Sequence, residues 1–75
     1  MRIIRSRDGY ICQSCGKLEV EEWRKLSIHH IDHVKENIKH TNLITVCSGC
    51  NTRANYNRPY WIKFYTEKLR EKILL

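Results

Sequence analysis

Cys12-Gln13-Ser14-Cys15 and Cys47-Ser48-Gly49-Cys50 repeat one Cys-x-x-Cys spacing at the two ends of the central part of a 75-residue chain. The dipeptide His29-His30 lies almost midway between them. This spacing lets two thiolates from each pair converge on a single ion. The sequence therefore predicts a structural metal at the outer cysteines and leaves the inner imidazoles available for chemistry.

Chain length sets the need for such a metal. We expect residues 1–75 to form one small domain, whose apolar core alone supplies only about 3–5 kcal/mol. The four cysteines can provide the missing stability as two disulfides or as one zinc site. No apolar secretory segment follows Met1, which favours a reducing, cytoplasmic compartment where disulfides are rare. We therefore expect zinc; the alternative is four unrelated buried or catalytic cysteines.

The charge balance limits the possible partners. Lysine and arginine number 14 against 8 acidic residues, giving a formal charge of +6. Such an excess suits a polyanion, most often nucleic acid, although solubility alone also accounts for it. No apolar run approaches the roughly 18 residues of a membrane span, so we expect no membrane function.

Residue patterns between the cysteine pairs predict two strands. Residues 26–31 alternate in a strand-like way, and residues 42–46 are rich in β-branched side chains. The polar loop 32–41 is longer than a hairpin needs, and loops of that length often serve function. Residues 10–16 predict a further short strand entering the first cysteine pair, whereas residues 1–7 give no readable pattern.

Helices are predicted after the second cysteine pair. A short one covers residues 51–56, and Pro59 marks the start of a longer one over about residues 59–74. The longer helix has an apolar stripe formed by Ile62, Tyr65, Leu69 and Ile73. The expected fold is α+β: a ββα core at about residues 26–57 with an additional C-terminal helix.

The adjacent histidines suggest phosphoryl chemistry. Neighbouring strand residues point in opposite directions, so His29 and His30 could straddle a phosphate whose attacking and leaving oxygens lie on opposite sides. One imidazole would bind a cation and the other would take a proton from water. An ordinary core or surface histidine is the plain alternative for either residue. Asp32 could orient an imidazole, and His33 and His40 are expected to face solvent.

Asparagines near the second cysteine pair extend this pattern. Asn51 and Asn55 are four residues apart and would share one face of the short helix. Their carbonyl oxygens suit Mg²⁺ or Mn²⁺, although asparagines near turns are more often caps. Arg53 on the same segment could reach a phosphate. Asn42, just before the second strand, could brace the long loop or be a plain turn residue.

Taken together, these segments resemble the HNH endonucleases of the ββα-metal (His-Me finger) class, and most closely small phage and homing-type members. The resemblance covers roughly residues 5–65 and rests on order and spacing together. The matching segments are Arg7-Asp8-Gly9-Tyr10, Cys12-x-x-Cys15-Gly16, His29-His30-Ile31-Asp32, Asn42-Leu43, Cys47-x-x-Cys50-Asn51, residues 52–58 and Tyr60-Trp61.

The resemblance implies a role for each matched residue. His29 takes the place of the first ligand of a catalytic metal, and His30 that of the general base. Asn42 corresponds to the central asparagine, which orients the base and braces the loop. Asn51 takes the last letter's place as second ligand, where relatives often have histidine, and Asn55 the place of a third. The structural zinc is implied at Cys12, Cys15, Cys47 and Cys50.

The implied activity is metal-dependent hydrolysis of DNA, by nicking or double-strand cleavage, leaving 5′-phosphate and 3′-hydroxyl ends. Because asparagine is a weaker ligand than imidazole, the second site favours Mg²⁺ or Mn²⁺ over a tightly held transition metal. Double-stranded DNA is the expected partner. The basic residues expected to contact it are Arg5, Arg7, Arg53, Arg58 and Lys63.

Two other functions stay open. The cysteine pairs and basic surface would equally serve a catalytically silent, zinc-binding nucleic-acid module. A protein-binding domain resembling a RING normally needs eight ligands, and this chain offers six at regular gaps: Cys12, Cys15, His29, His33, Cys47 and Cys50. By family analogy a phage packaging protein is a possible partner in a bacterial or phage-infected cell. The chain could be a monomer or a homodimer.

Overall fold

A computed structural model describes residues 2–74, with side chains from 3 to 72. In this part of the chain the order of elements is helix α1 (Arg2–Arg7), strand β1 (Ser27–His30), strand β2 (Leu43–Val46), helix α2 (Ser48–Arg53) and helix α3 (Arg58–Leu74). Short 3₁₀ turns precede the strands at Glu19–Glu21 and His40–Asn42. The predicted α+β class with its ββα core is confirmed.

The two strands form an antiparallel pair whose register runs from Ser27 opposite Val46 to His30 opposite Leu43. All four residues of β2 are buried, as expected for a β-branched strand that packs on both faces. The strands are shorter than residues 26–31 and 42–46 because Leu26, Ile31 and Asn42 lie just outside the ladder. The sheet therefore ends one residue after His29, where the long loop begins.

The strand predicted at residues 10–16 was wrong. Apart from an isolated bridge between Ile11 and Leu18, this segment is a tight turn around the first cysteine pair. The Gly16 N–H donates to the Cys12 carbonyl at 2.9 Å, and the Cys12 N–H donates to the Lys17 carbonyl at 2.8 Å. Gly16 has a φ of 82°, a value glycine adopts without strain. The turn that brings the thiols of Cys12 and Cys15 together takes the place of the expected strand.

Helix α1 was not predicted, and side-chain contacts with β2 hold it in place. Ile4 is fully buried, and the adjacent Asp8 is only 2% exposed. The Asp8 carboxylate accepts hydrogen bonds from the Arg7 guanidinium at 2.8 and 3.1 Å and from the Thr45 N–H at 2.9 Å. Arg7 also donates to the carbonyls of His40 and Leu43 at 2.8 and 2.7 Å. This charged cluster attaches α1 to the sheet.

Helix α3 closes the core. Tyr65 and Leu69, from its predicted apolar stripe, are 0% and 2% exposed, and Ile62 packs against the same cluster. The Ile73 side chain lies outside the described residues. The cluster includes Leu26, Ile44, Val46 and three of the cysteines, so the metal-binding region is part of the core. None of the helices in residues 2–74 is long and apolar enough to cross a membrane.

Replacement of Asp8 tests the attachment of α1. In Asp8→Ala the Arg7 guanidinium and the Thr45 N–H lose a buried acceptor, so we expect a loss of about 3 kcal/mol in the free energy of unfolding. Urea denaturation of the metal-loaded protein measures it. Glu36→Ala, which removes an exposed carboxylate from the long loop, should change stability by less than about 0.5 kcal/mol. Equal losses in both variants would contradict a special role for Asp8.

Candidate functional site

The four cysteines converge on one point. Their sulfur atoms all lie within 4.8 Å of one another, and the sulfurs of Cys15 and Cys47 are 3.7 Å apart. Four sulfurs at about 2.3 Å from a tetrahedral ion lie about 3.8 Å from each other. The same spacing is far longer than a disulfide bond, and all four thiols are free. The cysteines are therefore arranged to bind a metal, as predicted.

Local backbone geometry prepares these thiols for a cation. Burial raises the pKa of Cys12, but backbone hydrogen bonds from Cys15, Cys47 and Ser14 more than offset this and lower it to about 7. One of these is the Cys15 N–H at 3.5 Å from the Cys12 sulfur. Burial raises the pKa of Cys50 to about 12, and neighbouring thiols add to the rise. Because several thiolates cannot share the space alone, full ionisation requires a positive ion among them.

The elements around the cluster explain how each pair reaches it. The first pair lies in the turn that Gly16 completes, and the Gln13 N–H donates to the Thr45 carbonyl of β2 at 2.9 Å. The second pair follows β2 directly, with Cys47 as the N-cap of α2 and Cys50 inside that helix. The first pair is thus attached to the strand that leads into the second.

A cleft of about 460 Å³ brings together four of the five residues that the sequence pointed to as catalytic or as ligands of the catalytic metal. The lining residues are Ile28, His29, His30, His33, Lys35, Asn51, Asn55 and Arg58. The cysteines do not line it. The cleft therefore combines imidazoles, amides and basic groups from β1, the long loop, α2 and the start of α3.

His29 and Asn51 form the inner wall of the cleft. His29, on β1, is 5% exposed, and its Nδ1 lies 3.2 Å from the Asn51 Oδ1 on α2. Burial lowers the pKa of His29, and nearby His33 and His30 lower it further, although the hydrogen bond to Asn51 acts in the opposite direction. The neutral imidazole is therefore favoured, which is the form that binds metals. Its Nε2 is buried without a hydrogen-bond partner among the described residues.

The cleft also holds His30, the neighbour of His29, and Asn55, the predicted third ligand. His30 is partly buried and lines the same cleft as His29, although the two are adjacent on one strand. Asn55, just beyond α2, is exposed at the cleft. The structure thus brings His29, His30, Asn51 and Asn55 to one cavity.

Asn42 does not line the cleft and is bonded within the long loop. Its side-chain amide donates to the Asp32 carboxylate at 3.0 Å and to the Asn37 carbonyl at 2.9 Å, and its Oδ1 accepts from the Asp32 N–H at 3.1 Å. Asp32, expected to orient an imidazole, instead accepts from Asn37, Asn42 and the Val34 N–H. Hydrogen bonds from Asn37 and Val34 lower the pKa of Asp32. These contacts hold both ends of the long loop together directly after His30.

The basic residues predicted to contact nucleic acid lie in different surroundings. Arg58 lines the cleft, and Arg53 is exposed, with its guanidinium 5.9 Å from the Trp61 ring centre. Lys63 is exposed on α3. Arg5 forms an ion pair with Glu19 at 3.3 Å, and Arg7 is engaged in the Asp8 cluster. The guanidinium groups of Arg5 and Arg7 thus serve intramolecular contacts.

Two cleft residues were missed at the sequence level. His33 was expected to face solvent, but it is partly buried beside His29, whereas His40 is exposed as expected. Burial and the nearby Arg58 lower the pKa of His33, opposed by Asp32. Lys35 lines the cleft two residues further on. No periodic pattern marks loop residues, so the only available signal was their closeness to His30 in the chain.

Paired substitutions separate the two candidate metal sites. Cys47→Ser should lose the bound metal and most of the folded structure, because one of four converging ligands is gone. Asn51→Ala should keep both, because its side chain lies in the cleft and outside the cysteine cluster. Metal content by elemental analysis and far-UV circular dichroism on both variants measure the outcome. A folded, metal-replete Cys47→Ser protein would show that the cluster does not hold the fold together.

Comparison with curated proteins found no match, and comparison with solved structures found none either. The model of the family described as HNH endonuclease matches residues 12–57, which is more than half of the chain. The matched span includes the four cysteines and both the His29-His30 dipeptide and Asn51. The chain therefore belongs to the HNH endonuclease family.

Proposed function

We propose that this protein is a metal-dependent DNA endonuclease that hydrolyses phosphodiester bonds in the cleft. The observation that carries the proposal is the separation of two kinds of ligand pocket: a sulfur cluster built into the core, and an open cavity that holds imidazole and amide groups. Family membership supports nuclease activity, and the cavity supplies the chemical groups that activity needs.

Zinc fits the sulfur cluster, since its four thiolates and their spacing match tetrahedral coordination. A harder ion, Mg²⁺ or Mn²⁺, fits the cleft. The 3.2 Å between His29 Nδ1 and Asn51 Oδ1 is close to the roughly 3.0 Å between adjacent ligands on an octahedral ion with bonds of about 2.1 Å. Asn55, which also lines the cleft, is the proposed third ligand and the second one with an oxygen donor. Such an ion supplies positive charge at the phosphate and at the leaving oxygen.

His30 is the proposed general base. It lies next to His29 on β1 and opens onto the same cavity, so a water beside the phosphate is within its reach. The imidazole takes a proton from that water as its oxygen attacks phosphorus. The bond to the 3′ oxygen breaks, and the products carry 5′-phosphate and 3′-hydroxyl ends.

Asn42 is a positioning residue in this scheme. Its hydrogen bonds to Asp32 and Asn37 close the loop that begins directly after His30. The N–H of Ile31 also donates to the Asn42 carbonyl at 2.8 Å. These contacts fix the strand end that carries His30.

Double-stranded DNA is the proposed substrate. The chain carries a formal charge of +6, and Arg58 and Lys35 place two cationic groups at the cleft. Arg53 and Lys63 extend the basic surface beyond it. Arg5 and Arg7 are not needed for this contact, because each is paired with an acidic residue within the chain.

Removal of the proposed base tests the activity. In His30→Ala we expect the rate of supercoiled-plasmid nicking with Mg²⁺ or Mn²⁺ to fall by about 10²–10⁴-fold, the usual contribution of a general base. His40→Ala removes an exposed imidazole that lies after β1 and outside the cleft, and it should leave the rate unchanged. Equal nicking by His30→Ala and wild type would remove His30 from the mechanism. DNA binding without nicking under any metal would instead favour a silent nucleic-acid-binding module.

Replacement of Asn51 by the residue usual in relatives tests the cleft metal. In Asn51→His an imidazole replaces an amide, so we expect half-maximal nicking at a Mn²⁺ or Ni²⁺ concentration at least about 10-fold lower. Thr52→His places the same group on the neighbouring, exposed helix position and should leave that concentration unchanged. An unchanged metal dependence in Asn51→His would mean that position 51 does not contact the ion.

A further inference from the structure

His33 occupies an unusual position in the loop. Its backbone has a φ of 63°, a left-handed value that costs energy for a residue with a β-carbon. The turn that produces it is closed by a hydrogen bond from the His33 N–H to the His30 carbonyl at 2.9 Å. As a result, the side chain folds back over the strand end and lines the cleft.

The His33 ring packs directly on the ring of His29. Their centres are 5.1 Å apart, and their planes are at 83° to each other. An ion about 2.1 Å from a nitrogen of each of two imidazoles lies about 3.2 Å from each ring centre, which puts the centres about 4.5–5.2 Å apart for interligand angles of about 90–110°. The observed separation falls in this range.

Both rings also carry an unsatisfied nitrogen. The Nε2 atoms of His29 and His33 are buried, and neither has a hydrogen-bond partner in the part of the chain that the structure describes. A buried polar atom left without a partner costs about 1–3 kcal/mol. The orphaned nitrogen of His33 indicates a ligand bound in the cavity. On the His29 side the atom available to the same ligand is Nδ1, which lies 3.2 Å from the Asn51 Oδ1.

We propose that His33 is a further ligand of the cleft cation, binding it through Nε2 alongside His29 and Asn51. This inference rests on the proposed function for the presence of a divalent ion in the cleft. It adds an imidazole that lies outside the segments that carried the family resemblance. It also offsets the weaker amide at position 51, because a second imidazole restores a nitrogen-rich ligand set.

The added imidazole has a consequence for metal choice. Imidazole nitrogen suits Ni²⁺ better than Mg²⁺, and affinity for the divalent transition ions rises from Mn²⁺ to Ni²⁺, so the site gains most for Ni²⁺ and least for Mg²⁺. Loss of His33 should therefore weaken Ni²⁺ binding more than Mg²⁺ binding. Loss of a residue that only shapes the cleft would weaken all three ions alike.

His33→Gly is the suitable variant, because glycine accepts the left-handed backbone that alanine would strain. The protein is first loaded with zinc at its cysteine cluster. Mn²⁺ binding is then measured from the electron paramagnetic resonance signal of the free ion, and Ni²⁺ and Mg²⁺ binding by calorimetry. We expect His33→Gly to lower Mn²⁺ and Ni²⁺ affinity at least about 10-fold. His40→Ala serves as the matched control and should bind as wild type does. Circular dichroism verifies that each variant is folded.

The outcomes separate this inference from the proposed function. Unchanged Mn²⁺ and Ni²⁺ affinity in His33→Gly, or no binding of either ion by zinc-loaded wild type, overturns the inference. An equal loss of affinity for Ni²⁺ and Mg²⁺ also overturns the inference, because that result indicates a change in the shape of the cleft. Plasmid nicking is measured in parallel. Wild type that binds Mn²⁺ through His33 yet never nicks DNA supports the ligand and rejects the endonuclease.

Discussion

Four cysteine sulfurs from the two ends of the hairpin lie within 4.8 Å of one another, and sulfurs this close cannot all ionise without a cation among them. That constraint sets much of the chain's path. The first pair precedes β1 and is hydrogen-bonded to Thr45, while the second follows β2 directly and opens α2. The cluster therefore holds the hairpin closed and fixes where α2 starts. A domain of this size has too small an apolar core to do so alone.

The position of the sulfur cluster also determines where the cleft residues lie. Asn51 follows Cys50, so the helix turn that delivers the last thiol to the cluster also delivers an amide to His29. In the strand register His30 lies opposite Leu43, the residue that follows Asn42. Asn42 and the proposed base His30 therefore lie at the same end of the sheet. The sulfur cluster and the cleft are therefore positioned by the same secondary-structure elements. The cysteines and the cleft residues alternate along the chain, but they are separated in space.

The sequence predicted those parts that local patterns encode. The Cys-x-x-Cys spacing predicted the cluster, the β-branched run 42–46 predicted β2, and the apolar stripe predicted the burial of Tyr65 and Leu69. It did not predict α1, because that helix depends on the long-range contacts of Arg7 and Asp8 with β2. Nor did it place His33 correctly, since a left-handed turn that no periodicity marks brings this side chain back over His29.

Tyr65 packs against His29 and belongs to the same buried cluster as Cys12, Cys47 and Cys50. Its ring centre lies 5.2 Å from that of His29 on the cleft side, and the residue is fully buried. Burial raises the pKa of its hydroxyl, and the charges of Cys50 and Cys12 raise it further. One aromatic side chain from α3 thus contacts both sites. The helix that closes the core therefore also links the sulfur cluster to the wall of the cleft.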